Sequence, residues 1–117
     1  MPIFIVEDDP EVLNSARFVL EGEGYPVVTF ETGSGLLAAF PEAKPCCIVI
    51  DYMLPDMTGL DVSRYLRTLG VTVPMIIMTG HPSFVIREKV RDAGLPLVEK
   101  PSVEELLSAI EAIGPLH

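Results

Sequence analysis

The sequence predicts an α/β fold, a doubly wound parallel sheet of five strands with helices on both faces. Short apolar segments alternate five times with segments of helical periodicity, which is the pattern of successive βα units. Two of these segments, 46–50 and 73–78, are apolar throughout, as expected for strands covered on both faces. Because crossovers are right-handed and the most apolar strands (one, three and four) belong in the centre, the favoured strand order is 2-1-3-4-5.

The first half of the chain contains two βα units delimited by caps and helix breakers. Asp9 suits the N-cap of the first helix, and Pro10 suits its first turn. Glycines at 22 and 24 end this helix, and Pro41 closes a second, weaker helix. The predicted bounds are 2–6 and 25–30 for the strands, and 10–22 and 36–40 for the helices.

The second half contains three more units of the same kind. Gly70 ends the third helix and Gly94 the fourth, which can start at Pro82 because proline suits a first helical turn. Ser102 is placed to cap the fifth helix, with Glu105 three residues later as in a capping box. The predicted bounds are 46–50, 73–78 and 95–98 for the strands, and 60–69, 82–93 and 103–113 for the helices.

Composition excludes several classes of protein. Acidic residues outnumber basic ones by 17 to 8, for a formal charge of -9, which argues against binding the nucleic-acid backbone. No apolar segment approaches membrane-spanning length, and the N-terminus lacks the basic flank of a signal peptide. Cys46 and Cys47 are neighbours in a strand and point to opposite faces, so a disulfide framework is excluded. We expect one cytoplasmic domain over residues 1–117 that binds neither nucleic acid nor membrane.

Polar residues follow four of the predicted strands at the point where each strand ends. The carboxyl ends of parallel strands meet at one edge of the sheet, where such folds bind ligands. Three carboxylates gathered there repel one another unless a cation neutralises them, and their oxygens suit Mg²⁺ or Mn²⁺. A lysine and a hydroxyl can hold a phosphoryl group, although each residue alone also reads as a cap, a turn or a solvated side chain. The residues are Glu7 and Asp8 after strand one, Asp51 after strand three, Thr79 after strand four and Lys100 after strand five.

Four short motifs together carry a resemblance to a known family. They are Val6-Glu7-Asp8, Asp51-x-x-Leu54-Pro55-x-Met57-x-Gly59, Met78-Thr79-Gly80 and Lys100-Pro101. With these motifs at these spacings, the chain resembles the receiver domain of response regulators over essentially its whole length. Residues 78–81 and 99–101 are most similar to the FixJ-type branch. The resemblance implies a CheY-like (flavodoxin-like) fold and a part in two-component signal transduction.

The resemblance also implies a role for each residue at the sheet edge. Asp51 would accept a phosphoryl group from a histidine kinase or phosphotransfer protein, in a Mg²⁺-dependent reaction that forms an aspartyl phosphate. The chain would catalyse only its own phosphorylation and dephosphorylation, and is in that sense not an enzyme. In the acidic run 7–9, we assign Asp9 to the helix cap because it precedes Pro10. The implied partners of Asp51 are Asp8 as a direct metal ligand, Glu7 through water or a secondary contact, Met53 through its backbone carbonyl, Thr79 as a hydrogen-bond donor to the phosphoryl group, and Lys100 as its ion-pair partner.

Three further residues have structural roles in the family pattern. Pro55 and Gly59 belong to the turn beside the site. Pro101 follows a peptide bond that the resemblance implies to be cis, a bend that turns Lys100 back toward Asp51.

The output side departs from the family pattern. Receivers usually have an aromatic residue three positions before the lysine, where this chain has Leu97, and the connection 94–97 is one residue shorter than usual. We expect Leu97 to stay buried in both states, and the signal to leave through the loop from Gly80 to Phe84, where His81 and Phe84 change. The downstream partner is a protein or an output domain not present in this sequence. The sequence leaves open whether the chain is a single-domain regulator or a piece of a longer one.

Two alternatives come from other functional classes. A Mg²⁺-dependent phosphatase of the haloacid dehalogenase type also uses an aspartate at a strand end, but it needs a second acid two residues later, where this chain has Met53. A pseudo-receiver would be a protein-interaction module that is never phosphorylated. The complete acidic set, together with Thr79 and Lys100, argues against the pseudo-receiver.

Overall fold

The computed structural model describes residues 1–100 and 102–113, which contain five strands and five helices. The strands are β1 (Ile3–Val6), β2 (Val27–Phe30), β3 (Cys47–Asp51), β4 (Met75–Thr79) and β5 (Leu97–Glu99). The helices are α1 (Pro10–Gly22), α2 (Gly33–Leu37), α3 (Gly59–Thr68), α4 (Phe84–Asp92) and α5 (Val103–Ile113). All neighbouring strands are parallel, and their order is β2-β1-β3-β4-β5, which confirms the predicted topology.

Alternate residues of the central strands face two separate apolar cores, because successive side chains in a strand point to opposite faces. One core packs the sheet against α2, α3 and α4, and the other packs it against α1 and α5. A slip of one residue in register would exchange the two faces of a strand, so burial on both sides holds the register. Fully buried members include Ile48, Ile50, Leu66 and Ile77 in the first core, and Ile3, Ile5, Leu20 and Ile110 in the second.

The register brings the ends of neighbouring strands level with one another. Val6 of β1 pairs with Ile50 of β3, so the next residues, Glu7 and Asp51, emerge side by side. On the other side of β3, strand β4 ends in Thr79 at the same edge. The apolar pairing of the strands therefore positions the polar residues that follow them.

All five strands begin later than predicted, four of them directly after a proline. Proline lacks an N–H and cannot donate to a strand ladder, but its carbonyl can still accept. The carbonyls of Pro26, Pro74 and Pro96 accept hydrogen bonds of 2.8–3.0 Å from the neighbouring strands, and β2, β4 and β5 begin at the next residue. Strand β1 likewise begins after Pro2, whose carbonyl accepts from the Cys46 amide at 2.9 Å.

Local caps move two helices away from their predicted bounds. Helix α2 begins and ends three residues before the predicted range 36–40, because the Thr32 side chain accepts a hydrogen bond from the first turn. Helix α4 begins at Phe84 rather than at Pro82, because the Ser83 hydroxyl caps it in the same way. Both predictions of the helix start were wrong because a nearer capping residue was overlooked.

Two other predicted caps are present. The Asp9 carboxylate accepts from the Glu11 amide at 3.0 Å, and the Ser102 hydroxyl accepts from the Glu105 amide at 3.2 Å. The capping box at Ser102 is not closed, because the Glu105 carboxylate instead accepts from the Glu99 amide at the end of β5.

The expected cis bond between Lys100 and Pro101, and the structural role of Pro101, lie outside the described residues. Of the helices in the described ranges, none combines the length and the apolar composition needed to cross a membrane.

Candidate functional site

The centre of the site is a triangle of charged side chains at the carboxyl edge of the sheet, formed by Glu7, Asp51 and Lys100. Lys100 Nζ lies 3.1 and 3.2 Å from the two carboxylate oxygens of Glu7, and 3.1 Å from Asp51 Oδ2. Glu7 has no exposed surface, and Asp51 is 3% exposed. The lysine therefore contacts both buried carboxylates, and its single positive charge is shared between them. Sequence reasoning missed the contact with Glu7 because it paired Lys100 with a phosphoryl group alone.

The electrostatics of the triangle follow from its burial. Burial, together with repulsion from Asp51, raises the pKa of Glu7 to about 7, although its hydrogen bond to Lys100 acts in the opposite direction. Burial lowers the pKa of Lys100, but the charge of Asp51 and the hydrogen bonds to both carboxylates outweigh it and raise the pKa overall. The lysine thus stays charged, while Glu7 exchanges its proton close to neutral pH.

A divalent cation fits beside this triangle. Glu7, Asp8 and Asp51 each offer a carboxylate oxygen, and the three atoms lie within 4.8 Å of one another. Such hard oxygen ligands are those that Mg²⁺ and Mn²⁺ prefer, and the exposure of Asp8 suits a cation that keeps part of its water shell. Asp9 is engaged as the cap of α1. The geometry therefore groups Glu7 and Asp8, rather than Asp9, with Asp51.

The β3–α3 loop, residues 52–58, lies against one side of Asp51. The Met53 amide donates to Asp51 Oδ1 at 3.4 Å, and Met53 pairs with Thr58 in an isolated antiparallel bridge. A Cβ on Gly59 would lie 2.6 Å from the carbonyl oxygen of Asp51, so the backbone approaches too closely for any other residue. Pro55 is exposed in this loop. Pro55 therefore lies in the loop, whereas Gly59 is the first residue of α3.

Thr79 lies at the edge, and its hydroxyl oxygen contacts the loop that follows it. Thr79 is 2% exposed, and its Oγ1 accepts a hydrogen bond from the His81 amide at 3.2 Å. Its carbonyl accepts from the Lys100 amide at 2.8 Å, which joins the ends of β4 and β5. A Cβ on Gly80 would meet Lys100 Cε at 3.6 Å, an ordinary contact, so packing within the chain does not require glycine there.

The predicted output residues differ in exposure. His81 and Phe84 are exposed, whereas Leu97 is half-buried against the core beneath α2, α3 and α4. Sequence reasoning missed the ion pair between Arg87 of α4 and Glu99 of β5, which lines the same groove as Leu97. Their opposite charges were visible in the sequence, but the face of α4 that meets β5 was not.

A second missed residue is Asp56 in the β3–α3 loop. Its two carboxylate oxygens accept hydrogen bonds from the amides of Gly33 and Ser34, at 3.0 and 2.9 Å. These hydrogen bonds, led by that of Ser34, hold the pKa of Asp56 below its usual range. In the sequence Asp56 is only an acid in a turn, and nothing shows that residues 22 and 23 positions earlier meet it.

Comparison with known proteins agrees with this geometry. The family model described as the response regulator receiver domain matches residues 3–111. The transcriptional regulatory protein KdpE of Mycobacterium tuberculosis is 34% identical over 112 residues, which are 94% of this chain and 49% of KdpE. The transcriptional regulatory protein FixJ of Rhizobium meliloti is 31% identical over 112 residues, which are 95% of this chain and 54% of FixJ. The chain thus spans about half the length of the curated relatives it matches.

Solved structures show the same fold. A CheY-like response regulator receiver domain protein from Methanospirillum hungatei superposes with a TM-score of 0.85 at 30% identity, covering 96% of this chain and 91% of that one. The crystal structure of FixJ-N gives a TM-score of 0.84 at 30% identity, covering 94% of this chain and 90% of that one.

Proposed function

Because this chain belongs to the response-regulator receiver family of two-component signalling, we propose that it accepts a phosphoryl group on Asp51 in a Mg²⁺-dependent reaction. The observation that carries the proposal is the Asp51 carboxylate itself. It is nearly buried at the end of a central strand, 3.1 Å from Lys100 Nζ and grouped with two further carboxylate oxygens within 4.8 Å. This arrangement supplies both a nucleophile and positive charge where phosphoryl oxygens would lie.

The proposed reaction is a transfer between two nucleophiles. An oxygen of Asp51 attacks the phosphorus of a phosphohistidine, the P–N bond breaks, and its electron pair leaves with the imidazole, which gains a proton. Hydrolysis follows when water attacks the phosphorus and releases inorganic phosphate. The chain turns over no other substrate, so its chemistry is confined to its own acyl phosphate.

The residues around Asp51 would have separate roles, in binding the metal ion and in contacting the phosphoryl group. A Mg²⁺ ion, held by Glu7, Asp8, Asp51 and the carbonyl of Met53, would neutralise charge between the carboxylate and the incoming phosphoryl group. Mn²⁺ suits the same oxygen ligands.

Lys100, with three donor protons, can keep Glu7 while it turns one donor from Asp51 to a phosphoryl oxygen. Thr79, whose Oγ1 accepts from the His81 amide, would donate its own hydroxyl proton to the phosphoryl group. Movement of the hydroxyl toward the phosphoryl group would disturb the contact with His81 and so change the loop that begins at Gly80.

We propose a histidine kinase or phosphotransfer protein as the donor and a protein or output domain as the receiver of the signal. The relatives KdpE and FixJ are transcriptional regulatory proteins about twice as long as this chain. An output step through DNA would therefore belong to a segment or partner beyond this sequence, because the formal charge of -9 does not favour contact with DNA here. A single receiver domain over residues 1–117 remains part of this proposal.

Intact mass spectrometry after incubation with acetyl phosphate tests the proposal. We expect one phosphoryl group per chain with Mg²⁺, little without it, and none in Asp51→Asn, whose melting temperature should equal or exceed that of the wild type because one clustered charge is removed. No uptake in a folded wild type would instead favour the pseudo-receiver. Release of phosphate from many substrates without a stable acyl phosphate would favour the phosphatase.

A further inference from the structure

Asp56 joins the β3–α3 loop to a helix from a distant part of the chain. Its carboxylate accepts from both the Gly33 and Ser34 amides, the first two of α2. Of the amides in this turn, the side chain of the local cap, Thr32, accepts from that of Gly35 at 2.9 Å. The first turn of α2 therefore depends on two separate acceptors, one of which belongs to the loop that follows Asp51.

A series of hydrogen bonds joins the β3–α3 loop to the Asp51 carboxylate. Between Asp56 and Asp51, the Leu54 amide donates to the Met57 carbonyl at 3.1 Å, and Met53 pairs with Thr58. The Met53 amide in turn donates to Asp51 Oδ1. These contacts connect the loop around residue 56 with the Asp51 carboxylate.

Packing shows that α2 and the loop are fitted to each other at this point. Gly33 is buried, and a Cβ there would lie 2.7 Å from Met57 Cγ and 2.9 Å from a methyl of Val62. A side chain at position 33 would collide with the side chains of Met57 and Val62, so glycine allows α2 to lie close to the loop at this point. Because the hydrogen bonds are to an ionised acceptor and come in a pair, they define a direction as well as a distance.

We propose that Asp56 is a positioning residue for phosphorylation, which holds the β3–α3 loop on α2 so that Met53 keeps its place at Asp51. This inference rests on the proposed function and deepens it. Without the Asp56 contacts, the Met53 amide leaves Asp51 Oδ1 for part of the time and the Met53 carbonyl is less often available to a cation. Residues that orient metal ligands in this indirect way typically change metal affinity by about 10–100-fold.

The test compares Asp56→Ala with Thr32→Ala, a matched control that removes the other acceptor of the same helical turn. Both variants should lower the melting temperature. Only Asp56→Ala should shift the Met53 amide in the metal-free ¹H–¹⁵N spectrum, weaken Mg²⁺ binding by about tenfold in an NMR titration, and slow uptake from acetyl phosphate. Asp56→Asn, which keeps one acceptor oxygen, should fall between wild type and Asp56→Ala.

Wild-type Mg²⁺ affinity in Asp56→Ala, or equal losses in Asp56→Ala and Thr32→Ala, would overturn the inference. If Asp56→Ala does not fold, the same comparison is made with Asp56→Asn. The Met53 amide shift needs neither metal nor phosphate, so it separates this inference from the proposed function. An unshifted Met53 amide contradicts the inference alone, whereas a wild type that takes up no phosphate contradicts the proposed function.

Discussion

The proposed acceptor edge, which carries Glu7 and Asp51, and the proposed output face, formed by α4 and β5, are built in opposite ways. The two carboxylates are 0% and 3% exposed and follow strands whose register is held by two apolar cores. On the output face, Phe84 is 77% exposed, and the ion pair of Arg87 and Glu99 joins side chains that are each about half exposed. Exposed ion pairs contribute only about 0–1 kcal/mol, so this pair adds little to the contact between α4 and β5.

The difference predicts that phosphorylation and output can be separated by mutation. We expect a change at the acceptor edge to alter buried charges and therefore both stability and phosphorylation. A change on the output face should leave those charges unaltered. It should change only the free-energy difference between the conformations of the unphosphorylated and phosphorylated protein, since only differential interactions bias a two-state equilibrium.

The largest effect is expected from Lys100→Met, at the acceptor edge. Without the lysine, Glu7 and Asp51 are buried without a counter-charge, and breaking a buried ion pair by removing one partner typically costs about 3–5 kcal/mol. We expect urea unfolding at about pH 8 to show a loss of about 3 kcal/mol, and uptake from acetyl phosphate to slow by about a hundredfold. Lys89→Met, which replaces an exposed lysine of α4, should change neither the free energy of unfolding nor the rate of uptake. Equal stability of the two variants would show that the triangle contributes nothing to the fold.

The next prediction concerns pH. The pKa of Glu7 is about 7 in the folded protein, against 4.5 as its ordinary value. A raised carboxyl pKa favours the folded state while the proton is bound, so this contribution is complete below pH 4.5 and is lost as the pH rises through 7. Metal-free wild type should therefore lose stability relative to Glu7→Gln between about pH 5 and 8, measured by urea unfolding at each pH. A constant difference between the two proteins would mean that Glu7 titrates normally.

Magnesium should have a smaller stabilising effect. Binding to the folded state at ten times the dissociation constant adds about 1.4 kcal/mol, or roughly 5 °C in melting temperature for a domain of this size. Asp8→Ala should remove most of that rise. Asp9→Asn should keep it, because Asp9 caps α1 and lies outside the carboxylate group. A melting curve indifferent to millimolar Mg²⁺, or a rise lost only in Asp9→Asn, would refute the assignment of the cation ligands.

The smallest effect is expected on the output face. Amide shifts with and without beryllofluoride, a mimic of aspartyl phosphate, should change over residues 80–84 while Leu97 keeps its side-chain conformation. Full burial of a leucine is worth roughly 1.5–3 kcal/mol, and the half-buried Leu97 gains part of that in its inward position in both states. Leu97→Tyr should add a second set of shifts around β5, because its hydroxyl gains from a wet position. A rotamer change at Leu97 with residues 80–84 unmoved would contradict this route.

The sequence predicted the parts of the molecule that depend on the periodicity of apolar residues and on the position of a residue along a strand. Strand order and the meeting of Glu7, Asp51, Thr79 and Lys100 at one edge follow from apolar patterning alone, because parallel strands deliver their carboxyl ends together. Family resemblance was needed to assign roles to them.

What escaped prediction depends on how elements meet across space. Asp56 reaches amides 22 and 23 residues away, and the Lys100–Glu7 contact spans 93 residues. The start of α2 was missed for a local reason, since Thr32 competes with the weak apolar pattern that begins at Leu36. The side-chain cap at Thr32 determined the start of α2, and the apolar periodicity that begins at Leu36 did not.

The central claim is that Asp51 is the residue phosphorylated, and chemical trapping tests it most directly. Borohydride reduces an aspartyl phosphate to homoserine, so wild type treated with acetyl phosphate and Mg²⁺, reduced and digested, should yield homoserine at position 51. The same treatment without Mg²⁺, or of Asp51→Asn, should yield none. Homoserine at Asp8 or Asp56, or a phosphoryl group that survives on another residue type, would contradict the account.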